Sequence, residues 1–324
     1  MTRFPTLLMA AAALLSATSI ARAEDLVRLG NLKFAHYGAV SYMKEIGPSC
    51  GIRIEEHMFA KGPDVMQAIL AGELDTGATA SEAAIAGRAN GAPIYIVAGF
   101  AKGGARLVAR PDAGIKSIKD LKGKKVGVTR GGIHEVLLSA ELAQHGLSWS
   151  DSPGKDVQVI FLAFADLNQA LLGKNLDAIM QSEPQSSQAI NKGFGVEIMK
   201  PYDTPIGAPV RTLVMSEKFY KERPAVAAKF MQCFVKATKL FIDNKAVAEK
   251  YVRESMFKNQ ISKDDFDDAI ENSPYTYDIT PAHIQVTTDV MAKFGTGKMR
   301  TPPLAKDWVK TDLLEQAKKS LNIK

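Results

Sequence analysis

The 324-residue chain is 46% hydrophobic and 23% charged, and 41 Lys and Arg against 35 Asp and Glu give a net charge of +6. This ordinary globular composition is only mildly basic, and its one dense basic run, Lys116 to Lys125, is broken by Asp120 and has no interleaved aromatics, which argues against nucleic-acid binding. Beyond the first residues no stretch approaches the roughly 20 apolar residues that a membrane span needs.

The chain opens on an export signal: Arg3 is the positive start, Leu7 to Leu15 an apolar run too short to span a bilayer, and Ala21-Arg22-Ala23 a small-x-small cleavage site. Cleavage after Ala23 leaves 301 of the 324 residues, with 39 basic against 35 acidic side chains, or +4. Residue 24 is Glu, so the new N-terminus carries no Cys for a lipid anchor. At roughly 100 to 200 residues per domain this is two domains.

Downstream, short apolar strands are expected at 26–30, 52–54, 94–99, 105–109, 125–129, 157–162, 176–180, 196–198 and 211–215. They alternate with amphipathic helices at 39–48, 64–71, 81–89, 133–145, 166–173 and 184–192. Such alternation predicts mainly parallel sheets covered by helices. From 224 onward only helical patterns remain, at 224–243, 245–257, 263–271, 281–294 and 305–320, with Pro224, Pro281 and Pro302-Pro303 as boundary signals.

One phrase occurs twice. Asp64 to Ala78 reads DVMQAILAGELDTGA and Asp166 to Met180 reads DLNQALLGKNLDAIM, identical at six of fifteen positions. Each copy reads as helix, tight turn and strand, its leading Asp able to accept from free N–H groups of the first turn. The repeat predicts two similar α/β lobes with something between them. Ala101 to Gly104 and Pro205 to Pro209 bracket the middle of the chain as candidate crossings, which would make one lobe from 24–109 plus 207–324 and the other from 110–206.

Catalytic and metal motifs are missing. Gly146-Leu-Ser-Trp-Ser150 lacks the closing Gly of a nucleophile elbow, and His134-Glu135 lacks the second His of a zinc-protease helix. The Gly pairs at 103–104 and 131–132 do not make a phosphate loop, and His36, His57, His134, His145 and His283 have no ligand spacing. Cys50 and Cys233 are the only cysteines; an oxidising compartment permits a bond between them, and two buried thiols fit equally. The chain reads as a binder without catalysis, metal or cofactor.

The phrases AGELDTGA (71–78), NGAPIYIVA (90–98), SIKDLKGKKVGV (117–128) with RGG (130–132), SEP (182–184), YDIT (277–280) and DWVK (307–310) follow one another after the export signal. In that order they resemble the periplasmic solute-binding proteins of the nitrate, sulfonate, taurine and thiamin-pyrimidine type that serve ABC importers. The resemblance implies a two-lobed type II periplasmic binding protein fold with a helical C-terminal region and a solute held in the cleft. It also implies a monomer that docks transiently on a membrane permease.

Four loops between a strand and a helix would line that cleft by resemblance. They supply Lys33, Phe34, His36 and Tyr37; Thr79, Ser81 and Glu82; Arg130, Gly131, Gly132 and His134; and Ser182 with Glu183. Arg211, opening the strand after the second crossing, completes the candidate set. Each has a plainer reading: Ser81 as a helix cap, Arg130 as an ion-pair partner, Glu183 as a helix-start carboxylate, Phe34 and Tyr37 as core. The chain also departs from sulfonate binders, which commonly carry hydroxyl residues at Gly132 and Ile133 and Trp at Ser182, while Glu82 adds a negative charge. The expected solute is therefore a zwitterion or hydrogen-bonding heterocycle rather than a sulfonate, taurine or nitrate anion. A periplasmic enzyme or sensor on the same fold is the reading from another class.

Overall fold

The computed structural model describes residues 25–323, so the export signal and its cleavage point lie outside them. In chain order the first stretch holds β1 (Asp25–Leu32), α1 (Gly38–Ile46), β2 (Ile52–Phe59), α2 (Gly62–Leu70), β3 (Thr76–Ala80), α3 (Ser81–Ala89) and β4 (Ile94–Lys102). A second stretch follows with β5 (Ala105–Ala109), β6 (Lys125–Val128), α4 (Ile133–Gln144), β7 (Trp149–Ser150) and β8 (Val157–Phe161), then α5 (Phe164–Leu172), β9 (Ala178–Ser182), α6 (Gln185–Asn191) and β10 (Val196–Met199). The chain then returns through β11 (Val210–Ser216) to α7 (Glu217–Glu222), α8 (Pro224–Asp243), α9 (Lys245–Lys250), α10 (Lys263–Asn272), α11 (Pro281–Phe294), α12 (Ala305–Trp308) and α13 (Asp312–Ser320).

Two sheets result, ordered β2-β1-β3-β11-β4 and β10-β5-β9-β6-β8-β7. The expected parallel pairing holds for β1 with β2 and β3, and for β6 with β8 and β9, while β11 and β5 run antiparallel to their neighbours. The expected boundary after 109 shifts. β5 pairs along its whole length with β9, so it belongs to the second lobe and the first crossing is Gly103-Gly104. An apolar strand of five residues satisfies either sheet, which is why its sequence does not reveal its partner.

The repeated phrase is one structural unit used twice, as α2–β3 and α5–β9. Asp75 accepts from the backbone N–H of Arg28 at 2.9 Å, and Asp177 from that of Lys125 at 2.9 Å, each carboxylate fastening the neighbouring strand. A Cβ on Gly30 would meet Leu74 at 2.6 Å and Val65 at 2.9 Å; one on Gly127 would meet Leu176 at 2.4 Å and Leu167 at 2.9 Å. The same Leu therefore packs over the same bare strand position in both lobes, as close-packed interiors require. The leading Asp residues do not act as caps. Lys61 and Ala163 occupy those positions without side-chain bonds, and Asp64 approaches Lys61 instead.

The C-terminal helices 224–243 and 281–294 form as expected, but two others break. The 245–257 pattern ends α9 at Lys250 and continues as a π-helical turn, and the 305–320 pattern splits because Val309 bridges to Ile96 and Lys310 N–H donates to Ile96 at 2.8 Å, extending the edge of β4. Cys50 and Cys233 are disulfide-bonded with a Cα–Cα distance of 5.7 Å, which settles the open choice and ties the turn after α1 to α8. The lobes are packed together. Ile133, Val136, Leu137 and Ala140 on α4 of the second lobe join the apolar core of the first.

Candidate functional site

The loops after β1 and β3 in one lobe, and after β6 and β9 in the other, meet around a cavity at the lobe interface. Phe34, His36, Tyr37, Thr79, Glu82, Gly132, His134, Ser182 and Arg211, all expected from the sequence, line it. The space between the two sets of loops is narrow, with room for one or two waters.

The walls are aromatic and the floor polar. Phe34 of the first lobe meets Phe164 of the second edge-to-face with ring centroids 5.2 Å apart, and Phe164 also contacts His134 at 5.0 Å. Five buried polar atoms in this region have no partner: His36 Nδ1, Thr79 Oγ1, Ser81 Oγ, Glu82 Oε2 and His134 Nδ1. Leaving a buried polar atom unpaired costs about 1–3 kcal/mol, a cost that a polar partner between the lobes would relieve. Thr79 reaches this position only because residue 62 is Gly; a Cβ there would lie 2.1 Å from its hydroxyl oxygen.

Charge in the cavity is set by burial. Arg211 is 1% exposed and is the buried cation of the lining; its Nε donates to His36 Nε2 at 3.1 Å and its Nη2 to the Gly104 carbonyl at 3.2 Å. Burial and the nearby guanidinium keep both histidines neutral, His36 well below its usual range and His134 at about 3. Burial pushes the Glu82 carboxyl up to about 7, against the pull of Arg211 and of backbone N–H groups of Glu82, Ile133 and Ala83. Ile133 opens α4, so the Glu82 carboxyl of one lobe faces a helix start of the other.

Several candidates lie elsewhere. Ser81 is the first residue of α3 and Ala80 the N-cap; the Ser81 hydroxyl makes no cap bond and stays free beside the cavity. Arg130, with 63% of its side chain exposed, pairs with Asp151 at 2.9 Å and stacks over Phe161 at 3.7 Å, away from the lining. Lys33 sits over the Phe257 ring at 5.2 Å and lines an outer groove on the far side of Phe34 and Phe164. The Gly131 N–H is taken by Glu135 at 2.5 Å. Glu183 is fully buried and serves as an anchor: it forms an ion pair with Arg106, whose Nε lies 2.8 Å away, and accepts from Asn272 Nδ2 at 2.7 Å and the Ser187 hydroxyl at 2.6 Å. The sequence reading missed Leu32, Lys61, Gly62, Ala80, Ile133 and Phe164 as lining residues; of these Gly62, ahead of Pro63, carried a signal of its own, a turn before a helix.

Comparison with known proteins agrees with this architecture. A protein of Escherichia coli (strain K12) named as a candidate aliphatic sulfonates-binding protein is 32% identical over 144 residues, 44% of this chain and 43% of that one, so the match spans less than half of its length. The ligand-binding component of an ABC-type import system from Staphylococcus aureus, solved with zinc bound, superposes with a TM-score of 0.76 at 19% identity over 90% of this chain and 99% of the other. The alkanesulfonate-binding protein SsuA from Xanthomonas axonopodis pv. citri, bound to MOPS, superposes with a TM-score of 0.73 at 16% identity over 88% and 98%. At these identities the structures establish the two-lobed binding-protein fold. The family model matches residues 24–253, and the chain belongs to the NMT1-like family.

Proposed function

We propose that this protein is the exported solute-binding component of an ABC importer, a monomer that closes its two lobes on a small polar organic solute and hands it to a membrane permease. The observation that carries this reading is the set of four unpartnered polar atoms, on His36, Thr79 and Glu82 of one lobe and His134 of the other, whose residues line one cavity. Contacts made from both sides exist only when the lobes are shut, so a solute that makes them favours closure. Among the described residues no helix is long and apolar enough to cross a membrane, and the disulfide suits an oxidising compartment such as the periplasm.

The solute that fits best offers both donors and acceptors, because the cavity holds hydroxyls and Arg211 beside Glu82 and a bare histidine nitrogen. The buried Arg211, whose side-chain hydrogen bonds run to His36 Nε2 and the Gly104 carbonyl, favours the second reading, a sulfonate, taurine or nitrate anion. The enzyme reading is weaker, since both cysteines are bonded to each other and leave no thiol nucleophile among the described residues. A thermal-shift screen of nitrogen and sulfur nutrients tests the proposal. A true solute at 100 times its Kd adds about 2.7 kcal/mol to stability; a screen in which only simple alkanesulfonates stabilise would replace the first solute class by the second, and turnover of a stabilising compound would overturn the transport role.

A further inference from the structure

The Gly104 carbonyl lies in the first crossing between lobes and is the meeting point of three donors. Arg211 Nη2 approaches at 3.2 Å from the first lobe, His134 Nε2 at 3.3 Å and the Ser182 hydroxyl at 3.4 Å from the second. A carbonyl can only accept, so His134 must carry its proton on Nε2, and a neutral ring then leaves Nδ1 as a bare acceptor. His36 is wired the other way. A guanidinium can only donate, so His36 Nε2, which receives Arg211 Nε at 3.1 Å, is unprotonated, and the neutral ring carries its proton on Nδ1. Both Nδ1 atoms are buried and unpartnered beside the cavity lined by their rings.

We propose that Gly104 and Arg211 are positioning groups that fix opposite tautomers in His36 and His134, so that the cavity selects an uncharged solute group bearing one acceptor and one donor, such as a carboxamide. The acceptor of that group takes the His36 Nδ1–H and its donor meets the bare His134 Nδ1. Either histidine alone in the opposite tautomer would leave two like atoms facing the solute, and a group with only acceptors or only donors would then leave one of the present pair unsatisfied. Because the carbonyl that sets His134 belongs to the crossing itself, closure and chemical selection depend on the same atom. This selection rests on the solute-binding role proposed above; the tautomers do not.

Histidine-selective nitrogen-15 labelling of the protein without signal sequence or solute tests the wiring, with His36→Gln and His134→Gln for assignment. Near neutral pH the expected spectrum has His36 protonated at Nδ1 only and His134 at Nε2 only. Both rings in one tautomer, or either ring doubly protonated, overturns the proposal. Arg211→Met should release His36 into a tautomer mixture while His134 keeps its form; an unchanged His36 overturns Arg211 as the positioning group, and if this buried substitution prevents folding the wild-type spectrum decides alone. The solute half is read by titrating acetamide, acetate and acetamidinium, three probes of one shape. Acetamide should shift both rings at the lowest concentration; acetate or acetamidinium acting at lower concentration, or acetamide shifting neither ring, overturns it. None of these measurements involves the permease or the natural solute, so their failure is distinct from failure of the transport reading, which falls if no nutrient stabilises the protein.

Discussion

Glu82→Gln should make the solute-free protein sturdier above neutral pH while weakening its grip on solute. Glu82 is 3% exposed, one of its oxygens has no partner, and burial raises its carboxyl from 4.5 to about 7. The folded state therefore holds this proton more tightly than the unfolded state. Its stabilising effect is complete below 4.5 and is lost as pH climbs through about 7. At about 1.4 kcal/mol for each pH unit of that span, ionising Glu82 costs the fold about 3 kcal/mol. Gln keeps the neutral form at every pH, so the variant should gain about 3 kcal/mol over wild type between roughly pH 4 and pH 8. Urea unfolding of both proteins across that range measures the gain as a difference. The difference is needed because His36 and His134, whose affinity for protons is depressed by burial, act oppositely: they withhold stability as pH falls below 6.5. In parallel, affinity for the solute found by screening should drop by about tenfold or more, the loss of a charge-assisted hydrogen bond. A stability difference that stays flat with pH would refute the buried-carboxyl argument, and unchanged affinity would remove Glu82 from the site.

Three further outcomes follow from the geometry. Arg130→Ala should leave solute affinity within about twofold, since an exposed ion pair is worth about 0–1 kcal/mol, whereas Arg211→Ala should abolish measurable binding by calorimetry. Gly104→Ala should destabilise the protein by about 1–3 kcal/mol in chemical unfolding, because Gly104 has φ +77° and a Cβ would press on Ser273 Oγ at 2.9 Å and on Arg211 Nη2 at 3.2 Å. Reducing the Cys50–Cys233 bond, or replacing both residues with Ala, should cost about 2–4 kcal/mol, since the bond closes a long loop of the unfolded chain between positions 183 apart.

Much of this molecule is legible in its sequence. The strand–helix alternation and the doubled phrase both report the period and packing of local units, and both lobes repeat the same Asp fastening and Leu-over-Gly contact. Local patterns do not report partners. β5 reads as a strand but nothing in ARLVA says which sheet it joins, and Val309 leaves a helical pattern because an open strand edge lies beside it. The site divides the same way. The family resemblance pointed to the loops that converge, each between a strand and a helix, so His36, Thr79, Glu82 and His134 were within reach. Whether a charged side chain turns inward depends on what waits outside: Asp151 and the Phe161 face hold Arg130 at the surface, while Arg106 claims Glu183, and both partners are remote in sequence. Phe164 was missed because a lone aromatic before a helix looks the same in a core or a gate.

The place of β11 in the first sheet has a consequence for the order in which the molecule assembles. β3 and β4 do not touch as strands; β11 fills the slot between them, hydrogen-bonded to both, and it arrives only after the entire second lobe has been traversed. Residues 25–102 alone therefore present two unsatisfied strand edges facing one another across a gap, a sheet that cannot be completed from its own chain. The second lobe is different, for all six of its strands lie in one uninterrupted stretch from 105 to 199. It has every strand partner it needs as soon as that stretch is free, and its closure brings the two ends of the stretch, and with them β4 and β11, to one side. The topology therefore predicts that the middle of the chain completes its sheet ahead of the beginning, and that the lobe that starts the sequence is finished last.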